Sequence, residues 1–310
     1  MGMIISASRR TDIPNHYPDW FFNRIREGYV LVRNPFNMHQ VSKVSLSPDA
    51  VDCIVFWTKN PAGMIKRLDE LAGYHYYFQF TLNPYGEDVE PGFPPGKEDI
   101  IKTFMELSEK IGPKKVIWRY DPILISEKYS INYHMHHFGE TALQLKGFTG
   151  KCIISFIDLY RKIEKNVKSL GLRTITAENK LEIAAGFSKI AGEFGIGIET
   201  CAEDIDLSGF GIGHGKCIDA KLIEELTDCK LDVRKDKNQR RECGCAESID
   251  IGMYNTCPSG CKYCYANYSS RAARRNFKSH DPYSDLLCGA VTNRDRIIDR
   301  SAKSFEASCR

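Results

Sequence analysis

The chain has no run of about 18 apolar residues, which excludes a helical membrane span. It has no excess of one charge: 43 Lys and Arg face 40 Asp and Glu, a net charge of +3. Bulk charge therefore gives no argument for nucleic-acid binding, although a local patch can still do that work. The N-terminal stretch has no secretory h-region, so a cytoplasmic protein is expected. A dinucleotide fingerprint is missing as well. Ser208–Gly215 is glycine-rich, but no strand–glycine–helix unit with a downstream acid surrounds it. What the chain does have is cysteine, twelve in 310 residues. In a chain without secretory features, that number points to metal or redox chemistry instead of disulfides.

Three of the twelve stand in one short loop, Cys257-Pro-Ser-Gly-Cys261-Lys-Tyr-Cys264. Pro258 and Gly260 make the first interval a tight turn, so the thiolates can converge. Three thiolates at this spacing can hold three corners of a [4Fe-4S] cluster, leaving one iron open to a small molecule. A zinc site is the rival reading, although structural zinc usually takes four ligands. Cys201, Cys217, Cys243 and Cys245 form a second candidate set. Four thiolates close a cluster completely, and a four-cysteine zinc site or no metal at all remain alternatives. Cys53, Cys152, Cys229, Cys288 and Cys309 receive no chemistry. His134, His136 and His137 read as an exposed helix start, with metal binding the less favoured alternative.

The rest of the chain alternates strand and helix. Strands are expected at 3–7, 52–57, 76–80, 115–118, 152–156, 196–198 and 248–254, with a hairpin from 29–33 and 40–46. Helices are expected at 18–27 (ended by Gly28), 62–72, 97–111, 132–146, 158–169, 177–194 and 219–226. Residues 230–242 read as exposed, 276–283 as a strap over the fold, and 291–310 as a poorly ordered polar tail. Nearly every strand ends in polar residues. This argues for an α/β fold, a parallel (β/α) barrel or partial TIM barrel, with Arg10, Asp12, Lys59, Asn60, Asn83, Arg119, Asp121 and Asp158 on one rim.

The cysteine loop, with an aromatic before its last Cys, resembles the cluster motif of the radical S-adenosylmethionine superfamily. Ser6–Pro14, Phe56-Trp-Thr-Lys-Asn-Pro61, Phe80-Thr81, Arg119-Tyr-Asp-Pro122 and Tyr265-Ala-Asn-Tyr268 resemble, as an ordered set, its spore-photoproduct-lyase-like branch. The order differs, because the cluster-bearing first strand comes last. The chain is therefore read as a circularly permuted barrel, similar to family 1848 of the domains of unknown function. Residues 1–203 would supply barrel strands two onward, 204–247 an auxiliary metal-cluster insertion, 248–276 the permuted first strand with its Fe-S loop and helix, and 277–310 a tail.

The resemblance implies an enzyme that generates a 5′-deoxyadenosyl radical from S-adenosylmethionine at an open [4Fe-4S] cluster, with a second, auxiliary cluster. It implies Arg10, Asp12, Asp121 and Asp158 as catalytic candidates. Lys59, Asn60, Thr81, Asn83 and Arg119 would be cofactor-binding, and Cys257, Cys261, Cys264, Cys201, Cys217, Cys243 and Cys245 metal ligands. The partners implied are an external one-electron donor such as flavodoxin or ferredoxin and an unknown substrate, a small molecule or, by branch analogy, nucleic acid. Two other classes stay open: a zinc-stabilised, non-catalytic binding protein, and an Fe-S redox sensor or electron carrier.

Overall fold

The computed structural model describes residues 3–94 and 96–300 and, for 306–309, the backbone alone. Strand β1 (Met3–Ala7) leads to α1 (Ile13–His16), α2 (Pro18–Glu27), β2 (Tyr29–Asn34), β3 (Asn37–Ser45), β4 (Val51–Thr58) and α3 (Ala62–Ile65). Then come β5 (Tyr76–Thr81), α4 (Glu98–Ile111), β6 (Val116–Ile123), α5 (Ile131–Gln144), β7 (Lys151–Phe156), α6 (Glu164–Val167), α7 (Ala177–Glu193) and β8 (Gly197–Thr200). The last third is less regular: β9 (Gly213–His214), α8 (Ala220–Thr227), β10 (Cys229–Leu231), β11 (Ile249–Asp250), α9 (Ser270–Lys278), β12 (Arg296–Arg300) and β13 (Glu306–Cys309). No helix among the described residues is long and apolar enough to cross a membrane.

Eight strands form one parallel sheet in the order β11-β1-β4-β5-β6-β7-β8-β9. The sheet is open; among the described residues β9 and β11 do not pair. From β1 to β8 each new strand lies beside the previous one on the same side. Right-handed crossovers stepping in one direction place their helices on one face. Side-chain alternation follows. Ile5, Ile54, Phe56, Phe78, Phe80, Trp118, Tyr120 and Ile154 pack with residues of α2, α4, α5 and α7 in the main core. Ring stacking fixes two of those helices: Phe138 of α5 lies 3.8 Å from Phe187 of α7 and 4.8 Å from Trp118.

The opposite face is covered differently. Ile4, Cys53, Val55, Tyr77, Ile117 and Ile153 meet Cys217, Ile218, Ile223, Cys243, Cys245 and Ala246. A mostly irregular, cysteine-bearing segment fills the side that crossover helices leave free.

Several boundaries differ from the sequence expectation. The helix expected at 62–72 breaks into α3 and a 3-10 turn at Leu68–Leu71, though Met64, Ile65, Leu68 and Leu71 all remain buried. β6 continues through Arg119–Pro122, with a register shift between Tyr120 and Ile123. That irregularity accommodates Pro122, which has no N–H for a ladder. The helix expected at 158–169 shrinks to α6 and a short 3-10 turn, because Leu159 and Tyr160 are exposed and only Ile163 and Val167 face inward. Two inward positions support a turn, not a long helix. The strand expected at 248–254 pairs over Ile249–Asp250 alone. Within 230–242, Asp236 is buried beside Arg9.

Of the strap expected at 276–283, residues 276–278 belong to α9, and the stretch beyond it lies against α2. Asn23, Arg24 and Trp20 of α2 donate to the carbonyls of Pro282, Tyr283 and Ser284. The polar tail is structured as far as β12, which pairs in parallel with β3 of the β2–β3 hairpin. Residues 301–305 and 310 of that tail lie outside the described residues.

Candidate metal centres at the end of the sheet

β11 brings the cysteine loop to the C-terminal edge of the sheet. Two residues make a weak strand, and the Asp250 carboxylate reinforces it. It accepts from Ser6 Oγ (2.7 Å), Ser8 Oγ (2.6 Å) and the Arg9 N–H (2.8 Å), all from β1 or just beyond it. The loop that follows is held on several sides. Tyr17 Oη donates to the Thr256 carbonyl (2.6 Å), Asn267 Nδ2 to the Cys257 carbonyl (2.7 Å), and the Lys262 N–H to the Val89 carbonyl (2.9 Å). His16 Nε2 and Ser259 Oγ are 2.7 Å apart. Gly92 touches the loop backbone so closely that a Cβ there would lie 2.5 Å from the Ser259 carbonyl oxygen.

Cys257, Cys261 and Cys264 are free and half-buried. Burial pushes the Cys257 thiol up to about 12, and raises Cys261 and Cys264 as well. Such thiols stay neutral unless a cation replaces the proton.

Behind the loop lies a buried polar group. Glu90 Oε1 is 2.7 Å from Lys59 Nζ at the end of β4, and Oε2 is 3.3 Å from Lys97 Nζ. Asn83 Nδ2 donates to Glu90 (3.3 Å), to the Asp121 carbonyl (2.9 Å) and to Tyr263 Oη (3.2 Å), while the Tyr263 hydroxyl donates to Glu90. Burial disfavours the Glu90 carboxylate, but the two ammonium groups hold its pKa below the ordinary value. One carboxylate between two ammonium groups leaves a surplus positive charge near Cys261. A small cavity opens here, lined by Lys59, Thr81, Asn83, Glu90, Phe93 and Lys97.

The second cysteine set occupies the sheet's other face. Cys201 Sγ and Cys217 Sγ are 3.3 Å apart, and the Ile218 N–H donates to Cys245 Sγ (3.4 Å). Tyr77 Oη (2.7 Å) and Gln79 Nε2 (3.0 Å) of β5 donate to the Cys217 carbonyl. The Arg119 guanidinium is fully engaged. Nη1 donates to Cys217 Sγ (2.9 Å) and Gln79 Oε1 (3.2 Å), and Nε and Nη2 donate to Asp121 Oδ2 (3.1 and 2.5 Å). Ser155 Oγ donates to the other Asp121 oxygen. Arg9 lies near Cys245 and Cys217 as a second cation, its guanidinium over the Trp57 ring. The hydrogen bond from Cys245 lowers the Cys243 thiol to about 7.

Among the described residues, the only three metal-ligating side chains whose ligand atoms all lie within 4.8 Å of one another are His136, His137 and Glu140 on α5, of which His136 and Glu140 are exposed and His137 is half-buried. Neither cysteine set is drawn in that tightly. Thiolates on one tetrahedral zinc sit about 3.8 Å apart, a spacing that the Cys201–Cys217 pair approaches at 3.3 Å, whereas a cube-shaped cluster puts iron and sulfide between its thiolates.

The rim residues inferred from sequence separate into three groups. Lys59, Thr81 and Asn83 meet beside the three-cysteine loop, and Arg119 and Asp121 serve the four-cysteine set. The others have local partners. Asp12 caps α1 through the Asn15 N–H (3.2 Å) and accepts the Lys59 N–H (2.9 Å); burial raises its pKa to about 6. Asn60 Oδ1 accepts from the Ala62 N–H at the start of α3. Arg10 lies over Tyr254 and donates to the Gly252 carbonyl (3.4 Å). Asp158 is exposed and paired with Arg240. His134 is a buried core histidine, both ring nitrogens bonded, to Tyr120 Oη (2.7 Å) and the Leu124 carbonyl (2.8 Å).

Sequence reasoning missed Glu90, Lys97, Asp250, Gln79 and the Tyr263 hydroxyl. Asp250 carried a signal, a lone acid inside an apolar strand. Glu90 carried none, since it lies in a Pro/Gly-rich linker.

The family model described as "Domain of unknown function (DUF1848)" matches residues 4–266. No curated protein matches the chain. Among solved structures, the carboxyl transferase domain of Rhizobium etli pyruvate carboxylase, with pyruvate, is similar at 11% identity and a TM-score of 0.27. That likeness covers 89% of this chain and 46% of the other, so the chain spans about half the length of that structure.

Proposed function

The chain belongs to the DUF1848 family, and on that premise we propose that it is a radical S-adenosylmethionine enzyme with a second, auxiliary iron–sulfur cluster. One observation carries the reading. A C-x3-C-x2-C loop stands at the C-terminal edge of a parallel sheet, and a separate four-cysteine set lies against the face of that sheet which the crossover helices leave free. The strand order supports a permuted partial barrel. If residues 248–276 preceded β1, strands β11, β1, β4, β5, β6, β7 and β8 would be neighbours in chain order.

The donor chemistry fits the groups. Cys257, Cys261 and Cys264 offer three thiols for a cluster with one open iron, and Cys201, Cys217, Cys243 and Cys245 offer four for a closed one. When bound and reduced, the open cluster with S-adenosylmethionine supplies a 5′-deoxyadenosyl radical that takes hydrogen from substrate. The chain's own residues bind and orient. Lys59, with the surplus charge of the Lys59–Glu90–Lys97 group, pairs with a carboxylate. Thr81 and Asn83 offer hydrogen bonds from the same cavity. Glu90 fixes the Tyr263 ring as a flat wall. Arg119 is occupied by Asp121 and Cys217, so its role is to balance thiolate charge, not to bind the cofactor. Arg10 and Asp158 remain the candidates for substrate contact, because Asp121 is held by Arg119 and Ser155 and Asp12 by the Asn15 and Lys59 N–H groups.

Anaerobic reconstitution tests the reading. About eight irons per chain, with matching sulfide, are expected. Dithionite and S-adenosylmethionine should then yield 5′-deoxyadenosine. Zinc without sulfide would instead favour the binding protein, and clusters without 5′-deoxyadenosine the redox sensor or carrier.

A further inference from the structure

Three basic stretches far apart in sequence flank one group of contacts, and two of them reach the four-cysteine set. Residues 160–173, 230–242 and 269–280 together hold fifteen Lys and Arg against four Asp and Glu, so the rest of the chain carries net negative charge. Contacts join them. Arg240 pairs with Asp158, the rings of Tyr160 and Tyr265 are 6.4 Å apart, and Lys162 Nζ lies 5.4 Å from the Tyr268 ring centre. Tyr160, Tyr265 and Tyr268 are 40%, 45% and 52% exposed. Arg161, Lys162 and Arg271 are exposed too, and have no ion-pair partner among the described residues. Tyr160 and Arg240 are near enough to Cys201 to interact with its charge, and Cys243 closes the second basic stretch.

We propose that this face is the docking surface for an acidic electron-carrier protein. Tyr and Arg are the residues enriched in protein interfaces, and a one-sign patch steers a partner of opposite charge. Single-stranded nucleic acid fits less well. Base stacking needs open ring faces, but Tyr160 and Tyr265 meet edge to face and Lys162 lies over one face of Tyr268, so part of the ring surface is already taken. The sequence pI of 8.2 is also below the range usual for nucleic-acid domains. The electron-carrying character of the partner rests on the radical reading. It follows from position, since the patch borders Cys201 and Cys243 and not the three-cysteine loop alone.

Calorimetric titration of the whole chain with a purified acidic flavodoxin tests the surface. Binding is expected at about 50 mM salt and should weaken at least about tenfold by about 300 mM. Combined Arg161→Glu, Lys162→Glu and Arg271→Glu should weaken it at least about tenfold, while Lys102→Glu with Lys110→Glu on α4 should change it less than about twofold. Unchanged thermal melting would show that both variants fold. No binding, equal losses in the two variants, or preferential binding of a single-stranded oligonucleotide through the same three residues overturns the proposal. Dithionite needs no docking, so the two readings can fail separately. A chain that binds flavodoxin through this patch yet makes no 5′-deoxyadenosine with dithionite loses the radical assignment and keeps the surface.

Discussion

The two cysteine sets share one sheet and are held in opposite ways. The three-cysteine loop is half-exposed, seated mainly by backbone carbonyls and hydroxyls, and its nearby cations are lysines paired to Glu90. The four-cysteine set belongs to a hydrophobic core, and Arg119 donates to one of its sulfurs. A planar guanidinium can bond carboxylate, amide and sulfur at once, whereas a lysine is a point charge that can turn toward a ligand. The first arrangement leaves room for exchange, and the second resists it. The two candidate centres therefore differ less in cysteine count than in what surrounds the sulfur.

The strongest way to break this contrast is Cys261→Ala. It should abolish 5′-deoxyadenosine formation and remove about four of the eight irons; full iron content with retained cleavage would end the assignment. Cys243→Ala with Cys245→Ala should also remove about four irons. Because these residues are part of a core, it should lower the thermal midpoint as well, which Cys261→Ala should do far less. Arg119→Gln should follow, at about 3–5 kcal/mol in chemical denaturation, because it strips a buried charge partner from Asp121. A cost near zero would mean the guanidinium is not needed there.

Glu90→Gln sharpens the other half of the comparison through pH. The folded pKa of Glu90 is depressed, so its contribution to stability is present above the ordinary carboxylate value and is lost as pH falls through the folded pKa. The variant should therefore be less stable at neutral pH and flatter below about pH 4.3; parallel curves for the two proteins would count against the ion group. The smallest effect belongs to Asp158→Asn, whose partner Arg240 is exposed. The denaturation midpoint should shift by less than about 1 kcal/mol, so any large loss of turnover reports substrate contact.

Much of this was legible in the sequence. Period-two and continuous apolar runs gave the central strands, and Gly28 marked the end of α2 with its left-handed backbone. Cysteine spacing picked out both candidate sets. What stayed hidden depended on direction and distance. Arg119 sits on a rim segment by sequence, but β6 continues past it and turns its side chain toward Cys217. Glu90 reads as linker because, of its partners, Lys59 just past β4 and Tyr263 of the cysteine loop are 31 and 173 residues away, and Lys97 stands seven residues on, beyond the Pro/Gly-rich stretch. β12 was missed because its strand partner, β3, lies some 250 residues upstream.

The Ser6–Asp250 bond has a consequence for synthesis, since its partners are 244 residues apart in the chain. At the usual 5–20 residues per second, β1 waits about 12–50 s on the ribosome before its neighbour exists. During that time the edge of β1 is an unpaired strand with Ser6 and Ser8 uncapped, a hazard for mispairing. Both cysteine sets also emerge only in the last 110 residues. On the proposed reading metal loading would therefore be a late event, and a nascent chain stalled before residue 250 offers a sheet with one side open.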